Sequence, residues 1–507
     1  MSMSAPNILI VMADQLAPHF TGAYGHPVVQ TPHMNRLAKR GMRFDAAYCN
    51  SPLCAPSRAA FMTGKHVSSI RAYDNAAELP SATPTFAHYL REAGYRTCLS
   101  GKMHFVGADQ LHGFEERLTT DVYPADLAWI PDWRAPDERI DKWYHNLDSV
   151  IEAGPVATSF QVEYDDEATF LARRWVIERA MQKQAPWCMV LSLIHPHDPY
   201  LPTHDFWDLY DADEIDLPTI PEADDPQTQR IRAAIGTDLV PPPTEDQVRR
   251  ARQGYYGNVS HVDHNLGIML KALRETGQLD DTVVIVTSDH GDMLGERGLW
   301  YKMTHFEHSA RVPLIVAGPG VETGTCDSPC SLVDLVPTLL DLGGTAPELG
   351  LPLEGRSLVP ELAGETTEGA AISEYCAEGV DVPQVMIRRG AFKYMAAPGD
   401  PPMLYDVEND PEEQVNLADD PDYADEAASF AAEVADRWDF EALTADVLAY
   451  QAQRQAVYRG MQHGQPTHWD WQPPRDASNE YVRNHMDYRV VQEKGRFPPF
   501  RGGSDEA

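Results

Sequence analysis

Four apolar runs, each closed by chemically active side chains, limit what this chain can fold into. "NILIVMA" ends in Asp14-Gln15, "YRTCLSG" in Lys102-Met103-His104, "WCMVLSLI" in His195-Pro196-His197-Asp198 and "TVVIVTS" in Asp289-His290-Gly291-Asp292. Continuous apolar runs of this length suit strands of a sheet covered on both faces, and the helix-like segments between them supply the cover. The expectation is an α/β domain. Open α/β sheets gather their ligands at the carboxyl ends of the strands, so four such endings imply one shared site.

Beyond this domain the pattern changes. Residues 343–370 read as a connection, after which "AISEY", "VMIRRGAFKYMAA" and "MLYDV", with a "PGDPP" turn, read as a small antiparallel sheet. Residues 421–460 carry a long helical pattern, and the tail from 461 is too rich in Trp, Arg and His to read as disordered. We therefore expect a main α/β domain at 1–370, a smaller α+β domain at 371–460, and a tail at 461–507 that packs on the body or on a neighbouring subunit. The Pro- and acid-rich stretch from Leu217 to Gln247 reads as a surface insertion.

Charge and cysteine usage narrow the function classes. The 507 residues carry 41 basic and 77 acidic side chains, a formal net charge of −36. That balance argues against nucleic acid or an anionic membrane as partner, and it would steer a cationic substrate favourably. The longest apolar stretches are too short to span a bilayer, and "MSMSAPN" lacks the features of a secretory signal, so a cytoplasmic location is expected. Cys49, Cys54, Cys98, Cys188, Cys326, Cys330 and Cys376 are scattered and odd in number, unlike a disulfide framework. Cys326 and Cys330 have no second close Cys/His pair with which to form a zinc site.

The run "SPLCAPSRAAFMTGKH" contains Cys54-Ala-Pro-Ser-Arg58, which resembles the C-x-P-S-R signature of the formylglycine sulfatases. The resemblance extends over nearly the whole chain: "NILIVMADQ", "AGYRTCLSGKMH", "SDHGD" and "MLYDVENDPEEQVNLADDP" follow in the family's order. Within the family, "SPLCAPSRA", "YDNAAE", "SGKMHFVG", "HPHDPY", "SDHGDMLGERGLWYKM" and "RDASNEYVRNHMD" are most similar to the choline-sulfatase branch. This implies an alkaline-phosphatase-like fold, a large mixed sheet sandwiched by helices, with a smaller C-terminal antiparallel-sheet domain and an extended tail. It also implies that a maturation enzyme oxidises Cys54 to formylglycine, and that the chain forms a homo-oligomer, a dimer or tetramer.

The resemblance assigns roles that the residue chemistry supports. Asp14, Asp289 and the amide oxygen of Gln15 are hard donors suited to Ca²⁺, while His290 leaves Mn²⁺ open. Position 54 would share that metal. Gln15 stands where the family usually has a second acid. Arg58, four residues after Cys54, falls on the same face if a helix begins near the motif. Lys102 and Lys302 would bind the sulfate oxygens. His104 would take a proton from the aldehyde hydrate and His195 would protonate the leaving oxygen. The doublet leaves His197 as the alternative, and alignment favours His195. For a trimethylammonium group, Trp129 is the first choice for a cation–π contact, within an aromatic stretch that includes Trp133, Trp143, Tyr144 and His145. Glu378 and Asp487 are the candidate counter-charges.

The expected activity is hydrolysis of choline O-sulfate to choline and sulfate. The alternatives are a phosphonate monoester or phosphodiester hydrolase, a broad arylsulfatase, and a non-catalytic oligomeric binding protein.

Overall fold

The strands, in chain order, are β1 Asn7–Asp14, β2 Met42–Phe44, β3 Ala47–Tyr48, β4 Arg96–Gly101, β5 Glu116–Arg117, β6 Trp187–Pro196, β7 Thr282–Ser288, β8 Leu314–Ala317, β9 Gly324–Cys326, β10 Cys330–Ser331, β11 Ala370–Tyr375, β12 Gln384–Arg389, β13 Phe392–Ala396 and β14 Met403–Asp406. They come from a computed structural model that describes residues 5–136, 145–182, 185–222, 224–237, 241–345, 351–466 and 468–474. Eight of these strands form one sheet in the order β5-β4-β6-β1-β7-β8-β2-β9. β4, β6, β1 and β7 run parallel, whereas β8 is antiparallel to both neighbours, so the sheet is mixed.

The four apolar runs are four adjacent strands, β4, β6, β1 and β7, and past their first residues their side chains are buried on both faces. One cover is made by the long helices Phe160–Gln182 and Glu245–Glu275, which pack on β6 and on each other. Thr244 starts the second of these as a capping-box residue, accepting from the backbone N–H of Gln247. A second layer groups the helix Cys54–Thr63 with Phe86–Glu92 and Leu335–Leu342. The insertion at 217–247 carries the helix Pro226–Ile235, capped by Asp225.

The second sheet, β11-β12-β13-β14, shows period-two alternation. Ala371, Tyr375, Met386, Met395, Met403 and Tyr405 join the main core. Ile372, Val385, Ile387, Tyr394 and Leu404 face the other way, onto Phe430 and Val434 of the helix Ala424–Arg437. An ion cluster crosses the junction, with Lys393 Nζ 2.9 Å from Glu307 Oε1 and 2.6 Å from Glu413 Oε1. The helical pattern at 421–460 divides into two helices, because Asp439 caps a new one, Phe440–Met461. The first part of the tail folds back on the body: Trp469, like Trp129, packs on the small cluster of Ala76, Val106, Leu127 and Ile130, and Asp470 accepts from the backbone N–H of Ala125 at 3.1 Å. Among the described residues no helix is long and apolar enough to cross a membrane.

Candidate active site

Strand register brings the four endings together. Asp14 lies opposite Pro196, Ala13 opposite Ser288 and Gly101 opposite Ser192, so Asp14, Asp289, Lys102 and the 195–198 segment share one edge of the sheet. Onto this edge points the N-terminus of the helix Cys54–Thr63, all ten residues of which are buried. Its first turn is anchored from outside: Ala55 N–H donates to Asn75 Oδ1 at 3.0 Å, and the Ser57 hydroxyl donates to the Asp289 carbonyl at 2.5 Å.

The four-residue spacing does place Cys54 and Arg58 on one face. Cys54 Sγ lies 3.2 Å from His290 Nε2 and 3.8 Å from Asp14 Oδ1. Arg58 donates to Asp289 Oδ2 at 2.8 Å and to Asp14 Oδ2 at 3.0 Å, and it spans to the Lys102 carbonyl and the Ser192 hydroxyl. Lys102 Nζ pairs with Asp14 Oδ2 and sits 4.2 Å from the Tyr123 ring centroid. Lys302 Nζ donates to Gln15 Oε1 at 2.5 Å and lies 2.7 Å from His197 Nε2.

These contacts set the charge states. Burial alone would raise the Asp14 carboxyl, but Lys102, His197 and Arg58 hold it well below the usual carboxylate range. Burial opposes the charge of Lys302, yet Cys54, Asp198 and Asp14 outweigh it and leave its pKa raised. Burial, reinforced by Asp14, pushes the Cys54 thiol up to about 11. Burial and then Lys102 bring His104 down to about 3.

Asp14, Cys54, Asp289 and His290 each bring a ligand atom within 4.8 Å of the others, all buried. His290 Nδ1 donates to the Gly291 carbonyl at 3.0 Å, which leaves Nε2 directed at this group, the arrangement of a ligating imidazole. The donor set fits a divalent metal. Gln15 is adjacent, with its amide oxygen on Lys302 and its amide nitrogen donating to Asp292 Oδ2 at 2.7 Å.

The histidine doublet divides. Ser192 of β6 faces Arg58, and His195 faces the opposite layer, where its Nδ1 pairs with Asp165 at 2.6 Å and its ring meets His261. His195 therefore does not join the Cys54 cluster, contrary to the alignment preference. The chain turns after the strand, with His197 N–H donating to the Ile194 carbonyl, and His197 reaches Lys302, Tyr123 and, at 4.0 Å, Asp14. Alternation explains the difference: His195 still obeys the strand, and His197 lies past its end.

His104 is buried beside Tyr123 and Trp129, with ring centroids 4.9 and 5.7 Å away. His145 stacks on Tyr301 and lies 3.6 Å from Asp198. Trp133 is buried, its indole N–H donating to the Ala377 carbonyl next to Glu378. Glu378 is itself buried, with its pKa lifted to about 7 by burial and then Asp74, and the charge of Lys302 acts on it in the opposite sense. Asp487, Trp143 and Tyr144 lie outside the described residues. Tyr123, Asn75, Asp198 and Asp292 also belong to this site, and the sequence reading did not single them out as site residues. The last two sat inside "HPHDPY" and "SDHGD" and Asn75 inside "YDNAAE", so these three carried a signal; Tyr123 sits in a loop with none.

Comparisons with known proteins place the chain in a family. The sulfatase family model matches residues 6–345, that for the C-terminal part of N-sulphoglucosamine sulphohydrolase matches 295–438, and that for the C terminus of choline sulfatase matches 445–497. The chain is 47% identical to a choline-sulfatase of Rhizobium meliloti (strain 1021), over 98% of this chain and 99% of that one. It is 30% identical to arylsulfatase K of Danio rerio, over 82% and 81%. Among solved structures, the phosphonate monoester hydrolase of Agrobacterium radiobacter superposes with a TM-score of 0.68 at 26% identity, covering 87% of this chain and 96% of that one. With the family model matched from the first strand through the long helices to residue 345, this chain belongs to the sulfatase family.

Proposed function

We propose that this sulfatase hydrolyses choline O-sulfate to choline and sulfate, with formylglycine at position 54 as nucleophile. The observation that carries the reading is the convergence of Lys102, Lys302 and His197 around the Cys54 end of its helix, next to the aromatic pair Tyr123 and Trp129. The near full-length likeness to a choline-sulfatase supports the choice of substrate.

Asp14, Asp289, His290 and position 54 would hold a divalent metal, Ca²⁺ or Mn²⁺, which when bound supplies Lewis-acid activation of the nucleophilic oxygen. The protein's own groups do the rest. Lys102 and Lys302 bind the sulfate oxygens and absorb the charge that develops on them. Arg58, held by both carboxylates, fixes the helix face that presents position 54. His197 is held neutral by burial and then by Lys302, whose ammonium lies 2.7 Å from its Nε2, so the Lys302–His197 pair supplies the proton to the leaving alcohol oxygen. His104, kept neutral by burial and Lys102, accepts a proton on the nucleophile's side. Trp129 and Tyr123 offer ring faces to the trimethylammonium group, and Glu378 gives it a counter-charge.

The test is kcat/KM for choline O-sulfate, an aryl sulfate and a phosphonate monoester, on protein whose aldehyde at position 54 has been verified by peptide mass. The proposal expects choline O-sulfate to lead. A leading phosphonate monoester would transfer the chain to the function of the structural neighbour and discard the cation pocket.

A further inference from the structure

The proposed chemistry depends on where the first turn of the helix Cys54–Thr63 sits, and that turn does not cap itself. Its N-cap is Leu53, whose side chain has no acceptor, and Pro56 has no N–H. The Ala55 N–H, one of the donors that a helix start leaves free, finds its acceptor in Asn75 Oδ1, 3.0 Å away and 20 residues further along the chain.

Asn75 is set by the turn it occupies. Asp74 Oδ1 accepts from Ala76 N–H at 3.0 Å, and the Asp74 carbonyl accepts from Ala77 N–H at 3.0 Å, which closes the chain around Asn75. The Asp74 carboxylate is held in turn by Arg454 of the helix Phe440–Met461, whose two terminal nitrogens donate at 2.6 Å to Oδ1 and 2.7 Å to Oδ2. This pair is out of water, with the Asp74 side chain 0% and the Arg454 side chain 4% exposed. Arg454 is braced by Tyr450, one turn back, whose ring centroid lies 4.3 Å from the guanidinium carbon. The same helix meets the same loop again through Asp446 and Arg71, but both side chains there are 41% exposed, and such a pair fixes little.

A buried ion pair returns little net stability, because desolvation offsets its attraction, whereas a forked Arg–carboxylate contact fixes orientation. We propose that Arg454 is a positioning residue for sulfate-ester hydrolysis: through Asp74 and Asn75 it sets the turn that presents the nucleophile at position 54, a role that rests on the formylglycine reading of that position. The route is buried throughout, from guanidinium to carboxylate, from carboxylate to turn, and from the Asn75 amide oxygen to the Ala55 N–H. The sulfate-binding lysines are held elsewhere, Lys102 by Asp14 and Lys302 by Gln15, so loss of Arg454 acts on kcat and leaves KM in place.

The experiment is a double-mutant cycle on full-length protein, with kcat and KM measured for choline O-sulfate and an aryl sulfate and the aldehyde at position 54 counted by peptide mass. Arg454→Met is expected to lower kcat by about 10- to 100-fold, with KM changed by less than about two-fold. In an Asn75→Ala background, where the link is already cut, the same change should lower kcat by less than about two-fold. Arg454→Lys keeps the charge and loses the fork; it should fall between wild type and Arg454→Met, and it carries the cycle if Arg454→Met does not fold. Gln451→Leu is the control, since Gln451 is buried on the same helix face but accepts from the Trp133 N–H; its effect should be the same with and without Asn75. Losses at Arg454 and Asn75 that simply multiply, a change in KM in place of kcat, or a Gln451 effect that also vanishes without Asn75 would each overturn the proposal. The functional reading is judged apart from this, by the wild type: turnover without the aldehyde would discard the formylglycine nucleophile, whereas a cycle that fails with the aldehyde present overturns the role of Arg454 alone.

Discussion

At the carboxyl edge of the large sheet Arg58, Lys102, Lys302, Asp14 and Asp289 are buried against one another, whereas the small sheet buries Ile372, Val385, Ile387, Tyr394 and Leu404 against an amphipathic helix. The second arrangement yields stability: each apolar side chain removed from water contributes about 1.5–3 kcal/mol. The first consumes it, because removing an ion from water costs several kcal/mol that pairing only partly returns. The two regions therefore divide the labour of the chain. Damage to the edge should abolish turnover, and damage to the small sheet should lower stability while each folded molecule still works.

The strongest challenge to this division is Cys54→Ala, expected to lower kcat/KM by at least about 10³-fold with the thermal midpoint almost unmoved. Next comes the histidine doublet. His197→Asn should cost roughly 10²–10⁴ in kcat, while His195→Gln should retain turnover of wild-type order; equal losses would mean that both sides of the strand end serve the chemistry. On the small sheet, Ile387→Ala should cost about 2–5 kcal/mol in chemical denaturation, with kcat/KM per folded molecule unchanged. A parallel fall in kcat/KM would show the sheet to be part of the site.

The finest test concerns Glu378, an acid at the boundary of the two regions. Its carboxyl is lifted from 4.5 to about 7, so between those values the folded chain keeps a proton that the unfolded chain releases. Stability from this group is present below the ordinary value and declines as pH rises through the window. Binding of a cation favours the ionised form, so KM for choline O-sulfate should fall a few-fold as pH rises past 7. Glu378→Gln should flatten both profiles, and an unchanged KM profile in that variant would separate Glu378 from the cation.

The parts legible in the sequence were those set by local periodicity. Strands covered on both faces leave unbroken apolar runs, which is why β1, β4, β6 and β7 and their reactive endings could be read, and alternation likewise marked β11 to β14. The shared face of Cys54 and Arg58 follows from helical spacing. What could not be read depends on chain direction beyond an element's end. His195 and His197 have the same chemistry two residues apart, and only the turn after β6 sends one to Lys302 and the other to Asp165. Asn75 and Tyr123 reach the site from loops, where no periodicity announces them. Gln15 looked like a ligand by position, yet its amide bridges Lys302 and Asp292, a partnership visible only once β1 and β7 lie side by side.

The strand order also has a consequence in time. β1 occupies the middle of the sheet, between β6 and β7, and pairs with Cys188–Pro196 on one side and Thr282–Ser288 on the other. At synthesis rates of about 5–20 residues per second, the second partner leaves the ribosome on the order of 15–60 s after the first strand. Until then Ile8, Leu9, Ile10 and Val11 lack at least one of their two neighbours, and the nascent chain needs either a chaperone or a provisional burial for them.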